Sequence, residues 1–459
     1  MSDTDGVIAA ARKLCEPSEK ESAKISAVAD YAIQLVRRQV AGLDVVVGIE
    51  FGGSYAKGTW LRGAADIDIF VKLKPSVPEE KFEELGKQIG LDALEAFKPI
   101  LRYSDHPYVE AIVKGIRINI VPCYEVTDGR WKSAADRSVF HTQYVNQHYD
   151  EEMRGQVRLL KRFFKTVGVY GAEIATEGFS GYVCEVLVLK YHSFVGVLQA
   201  LAVIKEREVI AIEGYDTDIV SGFPGPLLII DPIDSRRNLG TAISPESAAK
   251  SILAARAFLE KPAIEFFAAK PRQPRASEKL FQFILVVEFS HKLRPPDVIW
   301  GQLKRAMTAI AKQLEIAGFA VMRSDCITDE KNSAAFVFLL ESMSLPVQLK
   351  RKGPEVFRAS DSARFIEASI EKSGPKPALM WVDKDMRLAL LTRRKATDAR
   401  QFVRSLVKLA EASGIPKNLI EGKRVQIYRG DEKKRLKPLV FRAVSGLAAT
   451  DRLAFRNRA

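Results

Sequence analysis

The chain has 459 residues, 47% of them hydrophobic, with 70 Lys and Arg against 57 Asp and Glu, a net charge of +13 and a pI near 9.4. That length predicts about two to four domains. No apolar run approaches the ~18 residues of a membrane span, the acidic Met1–Asp5 start has no signal-peptide pattern, and Cys15, Cys123, Cys184 and Cys326 follow no zinc-binding spacing. These features point away from membrane, secreted and zinc-finger classes and toward a cytoplasmic protein with reduced thiols.

Taken in chain order, residues 5–42 predict two helices broken near Pro17, 44–51 a strand, 54–61 a short helix and 66–73 a strand. A helix follows over 78–97, with apolar spacing at Phe82, Leu85, Ile89, Ala93 and Phe97, then strands over 109–113 and 116–121. From 139 to 201 the pattern turns helical, with an amphipathic basic stretch at 157–165 and a helix start at Gly178–Tyr182, where Ser180 is the expected N-cap. A short strand is expected at 227–230 and a helix at 244–258. A linker is expected at 271–279. Beyond it, strands are expected at 281–289, 319–322, 334–340, 379–382 and 387–391, and helices at 296–317, 360–372 and 397–412. This alternation predicts an α+β, ferredoxin-like domain. Positive charge gathers at 421–459, where eleven Lys/Arg stand against four Asp/Glu, including Lys433, Lys434, Arg435 and Lys437. A polyanion is the expected partner.

Chemistry concentrates in residues 52–68, GGSYAKGTWLRGAADID. Side chains two apart on a strand share a face, so Asp66 and Asp68 aim two carboxylates at one spot. Such a pair is costly without a cation, and hard oxygen donors suit Mg²⁺. The Gly52–Gly53–Ser54 turn offers backbone N–H groups to a phosphate, and Ser54 and Lys57 add a hydroxyl and a charge. Alone, an Asp-x-Asp is most often a solvated strand end; here its order and spacing after the glycine turn point to phosphoryl transfer.

The strings GGSYAKGTWLRGAADIDIF, RYSDHPYVEAIVKG, NIVPCY, SAADRSVFH, VRLLKRFFK, VYGAE, GFSGYVCEVL and DPIDSRRN resemble those of the archaeal, class I CCA-adding enzymes, which belong to the polymerase-beta-type nucleotidyltransferases. The resemblance is dense over residues 44–240 and looser beyond 280. It implies a multidomain α+β protein: a palm-like catalytic head (1–140), a helical neck that recognises the nucleotide (141–270), and an α+β body and tail that bind tRNA (280–459). It implies addition of C, C and A to the tRNA 3′ end from CTP and ATP without a template, and it leaves a homodimer open. Asp66 and Asp68 are then the catalytic metal ligands. Gly53, Ser54, Lys57, His141, Lys161 and Tyr170 lie on the nucleotide, and Arg237 contributes to reading the base. His106 falls near the cleft without an assignable role.

Read without the resemblance, Lys161 suits a solvated basic face, Tyr170 and His141 suit packing roles, and Arg237 suits a salt bridge with Asp231 or Asp234. One departure stands out. The family's third metal-binding, catalytic carboxylate falls on Asn119, which can offer a carbonyl ligand but neither charge nor base. Glu110 and Asp105 are near in sequence, but sequence assigns neither a strand register beside it. Nucleotide binding is expected to survive, with turnover in question. Two alternatives follow: a tRNA-binding relative without chemistry, and a poly(A)-polymerase-like enzyme acting on another RNA.

Overall fold

The structure is a computed structural model that describes residues 3–103, 107–127, 129–268, 276–370, 377–409, 414–416 and 419–451. The chain forms two compact units, Met1–Gln273 with Asp451–Ala459, and Pro274–Thr450. Each is described separately.

The first unit opens with α1 (Asp3–Cys15) and α2 (Glu19–Gln39). Ser18 caps α2 by accepting from the Glu21 amide, which fixes the break that Pro17 starts. Next come β1 (Val46–Gly52), α3 (Gly53–Ala56), β2 (Asp66–Leu73), α4 (Glu79–Ala93), β3 (Ile100–Tyr103), β4 (Pro107–Val113) and β5 (Ile116–Tyr124). The five strands form one sheet in the order β1-β2-β5-β4-β3, with β2 and β5 parallel and the other pairs antiparallel. Alternation sets its two faces. Ile67, Ile69, Ile118 and Ile120 are fully buried against α2 and α4. Asp66, Asp68, Arg117 and Asn119 occupy the opposite face.

Helices follow: α5 (Asp136–His148), α6 (Glu151–Val167), α7 (Gly181–Tyr191) and α8 (Phe194–Val203). A small sheet, β6 (Val209–Ile210), β7 (Leu228–Asp231) and β8 (Asp234–Asn238), is interrupted by α9 (Thr217–Ser221) and followed by α10 (Pro245–Glu260). Their core is aromatic. Phe163, Phe194, Phe258, Phe266 and Phe267 are wholly buried with ring centroids 5.4–6.1 Å apart. Each buried phenylalanine contributes about 1.5–3 kcal/mol relative to exposure. Ser180 caps α7 as expected, accepting from the Val183 amide.

The second unit contains β9 (Ile284–Ser290), α11 (Pro296–Ala317), β10 (Val321–Thr328), β11 (Ser333–Leu340), β12 (Gln348–Glu355), α12 (Ala359–Ile370), β13 (Leu379–Val382), β14 (Arg387–Arg393), α13 (Ala399–Lys408), β15 (Glu421–Arg429) and α14 (Pro438–Leu447). Its antiparallel sheet runs β10-β11-β9-β15, and α11 and α13 supply the two crossovers. That is the ferredoxin-like order. Between β11 and α13 sits a separate three-stranded sheet, β12-β14-β13. Most of the expected 271–279 linker lies outside the described residues. Among the described residues, no single helix is long and apolar enough to cross a membrane.

Candidate active site

The expected helix over 54–61 is only four residues long, Gly53–Ala56. Gly58 turns it off with φ +64°. Gly53 itself sits at φ +61°, and a Cβ there would come within 1.8 Å of Asp68 Oδ2. The turn therefore lies directly on the Asp68 carboxylate, and only glycine permits that approach.

Parallel pairing puts Asp66 beside Arg117 and Asp68 beside Asn119. Asn119 Nδ2 donates to Asp68 Oδ1 at 2.8 Å. That bond orients the amide and leaves Asn119 Oδ1 buried without a partner. Arg117 Nη1 donates to Asp66 Oδ2 at 3.2 Å. Burial pushes both carboxyls above the usual aspartate range, and for Asp66 the charges of Asp68 and Glu110 add to the rise. Hard oxygen donors, two carboxylates penalised for their charge and an orphaned buried carbonyl oxygen together fit a divalent cation held by Asp66, Asp68 and Asn119.

On the other side of the turn stands a buried charge cluster. Lys57 Nζ donates to Glu185 Oε2 at 2.6 Å, and Lys161 Nζ to Glu185 Oε1 at 2.8 Å. Thr59 Oγ1 also donates to Glu185 Oε1, at 2.6 Å. Glu185 is 1% exposed. Its burial opposes ionisation, but Lys161 and Lys57 outweigh that and hold it at about 2. Two ammonium groups share one carboxylate, so the cluster keeps a net positive charge for an anion. Lys161 is further bound to Thr59 O and Oγ1, which engages all three of its protons. From α6, Arg154 and Arg158 donate to the carbonyls of Lys57 and Gly58, locking this loop to the helix. A Cβ on Gly181, the first residue of α7, would meet the Tyr170 hydroxyl at 3.2 Å and Lys161 Nζ at 3.4 Å. Tyr170 and Lys161 thus converge at one point, as neither the solvated-face nor the packing reading required. Burial raises the Tyr170 phenol well above its ordinary range.

A third group gathers on β7. Asp231, 1% exposed, accepts from His141 Nε2 at 2.9 Å, from Arg237 Nη1 at 3.2 Å and from the Tyr182 hydroxyl at 3.3 Å. The His141 ring stacks on Tyr182 with centroids 3.7 Å apart. Burial lowers His141 despite the carboxylate beside it, so the ring is neutral and its Nε2–H donates. Burial opposes the Asp231 charge, but His141, the Ile233 amide and Arg237 hold it below the usual range. Arg237 is 43% exposed at its side chain, held at one end with the rest of its fork free to face a ligand. The salt-bridge reading of Arg237 is therefore realised, with Asp231; Asp234 pairs instead with Arg137 at 3.0 Å.

Family models match along the chain: a nucleotidyltransferase domain over residues 33–145, the second domain of tRNA nucleotidyltransferase over 155–268, and the C-terminal domain of CCA-adding enzyme over 282–426. The CCA-adding enzyme of Pyrobaculum aerophilum is 36% identical over 431 residues, 92% of this chain and 98% of that one. The enzyme of Methanothermobacter thermautotrophicus is 32% identical over 427 residues, 91% of each. The chain belongs to the CCA-adding enzyme family. A third relative, from Saccharolobus solfataricus, is 33% identical over 399 residues, 86% of this chain and 91% of its own.

Part of each of the first two groups lines one cavity of about 560 Å³: Asp66 and Arg117 from the first, Thr59, Lys161 and Tyr170 from the second, with Ser54 between them, while Asp68, Asn119 and Lys57 are not among its lining residues. His106 and Asp105 lie outside the described residues. In the basic segment, Lys433 pairs with Glu278 at 2.7 Å, Arg435 with Glu432 at 3.3 Å, and Lys437 with the buried Glu288. Part of that charge thus serves the unit's own fold. The sequence reading missed Glu185, Thr59 and Tyr182. Glu185 carried a signal: it is the lone acid in an apolar helix, GYVCEVLVLKY, and a buried glutamate requires partners.

Proposed function

We propose that this tRNA nucleotidyltransferase adds C, C and A stepwise to the tRNA 3′ end, taking CTP and ATP and using no nucleic-acid template. The observation that carries the reading is the register of β2 with β5: it gathers Asp66, Asp68 and Asn119 beside the Gly53 turn, within a chain related along most of its length to CCA-adding enzymes. Residues 1–140 act as the catalytic head, 141–270 as the neck that recognises the nucleotide, and 280–459 as the body and tail that hold tRNA.

Gly53, Ser54, Lys57 and Tyr170 receive the triphosphate, and Lys161, whose three protons are already engaged, acts on it through its charge, the surplus of the Glu185 cluster answering the triphosphate. His141 and Arg237, both fixed by Asp231, face the ribose and base; a held guanidinium fork suits the acceptors of cytosine or adenine. Asp66, Asp68 and Asn119 hold a divalent cation, proposed as Mg²⁺. When bound, it neutralises charge on the triphosphate and makes the primer hydroxyl more acidic. The 3′ oxygen attacks the α-phosphorus in line and pyrophosphate leaves. The protein's part is positioning and fixed charge.

The test is incorporation of labelled CTP and ATP into tRNA that ends at the discriminator base. Labelled CMP must enter first, and AMP only after it. Loss of that order would leave a nucleotidyltransferase of a different specificity.

A further inference from the structure

Asn119 is in register with Asp68 on one side and with Glu110 on the other. Residues in register on neighbouring strands point to the same face. Asp68, Asn119 and Glu110 thus form one row across three strands, with Asp66 and Arg117 in the next row. The sequence offered no register for Glu110; the sheet supplies it.

Glu110 is 9% exposed, an unusual degree of burial for a carboxylate on the cleft face. Two arginines attend it. Arg102 Nη2 donates to Glu110 Oε1 at 2.8 Å, and Arg117 Nε lies 3.5 Å from Oε2. The same Arg117 reaches Asp66 Oδ2. One guanidinium is therefore clasped between two carboxylates beside the row that holds Asp68 and Asn119. Among the described residues no three acidic side chains stand close enough to hold a metal ion directly, but Asp66 and Glu110 are near enough for one guanidinium to bridge them, and a divalent ion on Asp66 can take over the charge that Arg117 now balances.

We propose that Glu110 supplies the third negative charge of the cation site, the charge that Asn119 does not carry. The inference rests on the nucleotidyl-transfer reading above. Asn119 contributes its carbonyl oxygen, and Glu110, one strand further out and one methylene longer than aspartate, contributes the charge. Mg²⁺ retains several waters and so accepts a carboxylate that acts through one of them.

The test uses the full chain as wild type, Glu110→Gln, Asn119→Asp and the double variant. Mn²⁺ binding is titrated by electron paramagnetic resonance with a non-hydrolysable CTP analogue, and CMP addition is followed in single turnover. Glu110→Gln should weaken Mn²⁺ binding and slow CMP addition at least tenfold, while CTP affinity changes less than threefold. Asn119→Asp alone should slow addition, because it replaces the donor to Asp68 with a like charge. In the Glu110→Gln background the same change should restore Mn²⁺ affinity and speed addition at least tenfold. Wild-type Mn²⁺ affinity in Glu110→Gln would overturn the proposal. So would failure of Asn119→Asp to restore it, which assigns Glu110 to holding Arg102 and Arg117 alone. If Glu110→Gln does not fold, the Asn119→Asp single variant still decides: faster addition means the site was short of a charge and Glu110 does not supply it. Should the wild type add no CMP while the Mn²⁺ pattern holds, the functional reading fails and the assignment of Glu110 stands.

Discussion

Removing Glu185 tests the charge cluster that ties the sheet's loop to the helices. In Glu185→Ala, Lys57 and Lys161 lose a partner at 2.6 and 2.8 Å while remaining almost inaccessible to water. Deleting one partner of a buried ion pair costs about 3–5 kcal/mol. The Glu185 carboxyl, held well below its ordinary 4.5 by Lys161 and Lys57 against its burial, points the same way. Because the folded value is depressed, this stability is fully present above the ordinary glutamate range and is lost as pH falls toward the folded value. The assay is urea unfolding followed by tryptophan fluorescence, with Trp60 buried in the same unit. Glu185→Ala should lose about 3–5 kcal/mol at pH 7. Lys161→Met combined with it should cost less than the two changes summed, since the second removes a charge already stranded. The gap between wild type and Glu185→Gln should close as pH falls below about 4.5. A loss under about 1 kcal/mol, or strict additivity with Lys161→Met, would refute the account of this cluster.

Asp66→Asn or Asp68→Asn should cut nucleotide addition on the order of 10²–10³-fold with tRNA affinity within about twofold, as a filter-binding assay can check. Both carboxyls are raised in the protein, so their favourable contribution exists below the ordinary aspartate range and is lost as pH rises through the folded values. Mg²⁺ should therefore raise the melting temperature of the wild type at neutral pH and leave Asp68→Asn unchanged. Gly53→Ala forces a side chain into the left-handed region and against Asp68; it should cost on the order of 1–3 kcal/mol in denaturant and lower the rate of addition more than CTP affinity. Reversing Lys433, Lys434 and Arg435 to Glu should weaken tRNA binding and flatten its salt dependence by about 0.9 for each phosphate no longer neutralised, with the KM for CTP unchanged.

The polar face of the sheet that carries the candidate site was legible because alternation is a strong signal. Ile67 and Ile69 against Asp66 and Asp68 announce a half-buried strand, and Ile118 and Ile120 around Asn119 announce another. What alternation does not encode is which strand lies beside which. Hence Glu110, opposite Asn119 in space and nine residues away in sequence, could not be assigned. The buried partners Glu185 and Asp231 are likewise products of tertiary packing: the lysine and arginine they hold are visible in sequence, but their pairing is not. The edge strand β12 was also missed, although the edges β1 and β13 were expected. β12 reads QLKRKGPE, basic, with a Gly-Pro at the register shift before Glu355 that an edge accommodates, and among the described residues it pairs with β14 alone. The 421–459 segment was read for its charge. Yet it contains α14, where Val440, Ala443, Val444 and Leu447 bury one apolar face at helical spacing.

The most direct measurement is the mass of the product. Full-length protein is incubated in Mg²⁺ with tRNA lacking its three terminal nucleotides, and the RNA is weighed intact by mass spectrometry. Addition of CCA predicts a gain of two cytidylates with CTP alone, no gain with ATP alone, and two cytidylates followed by one adenylate with both. A ladder of adenylates with ATP alone, or an unextended tRNA under all three conditions, would contradict it.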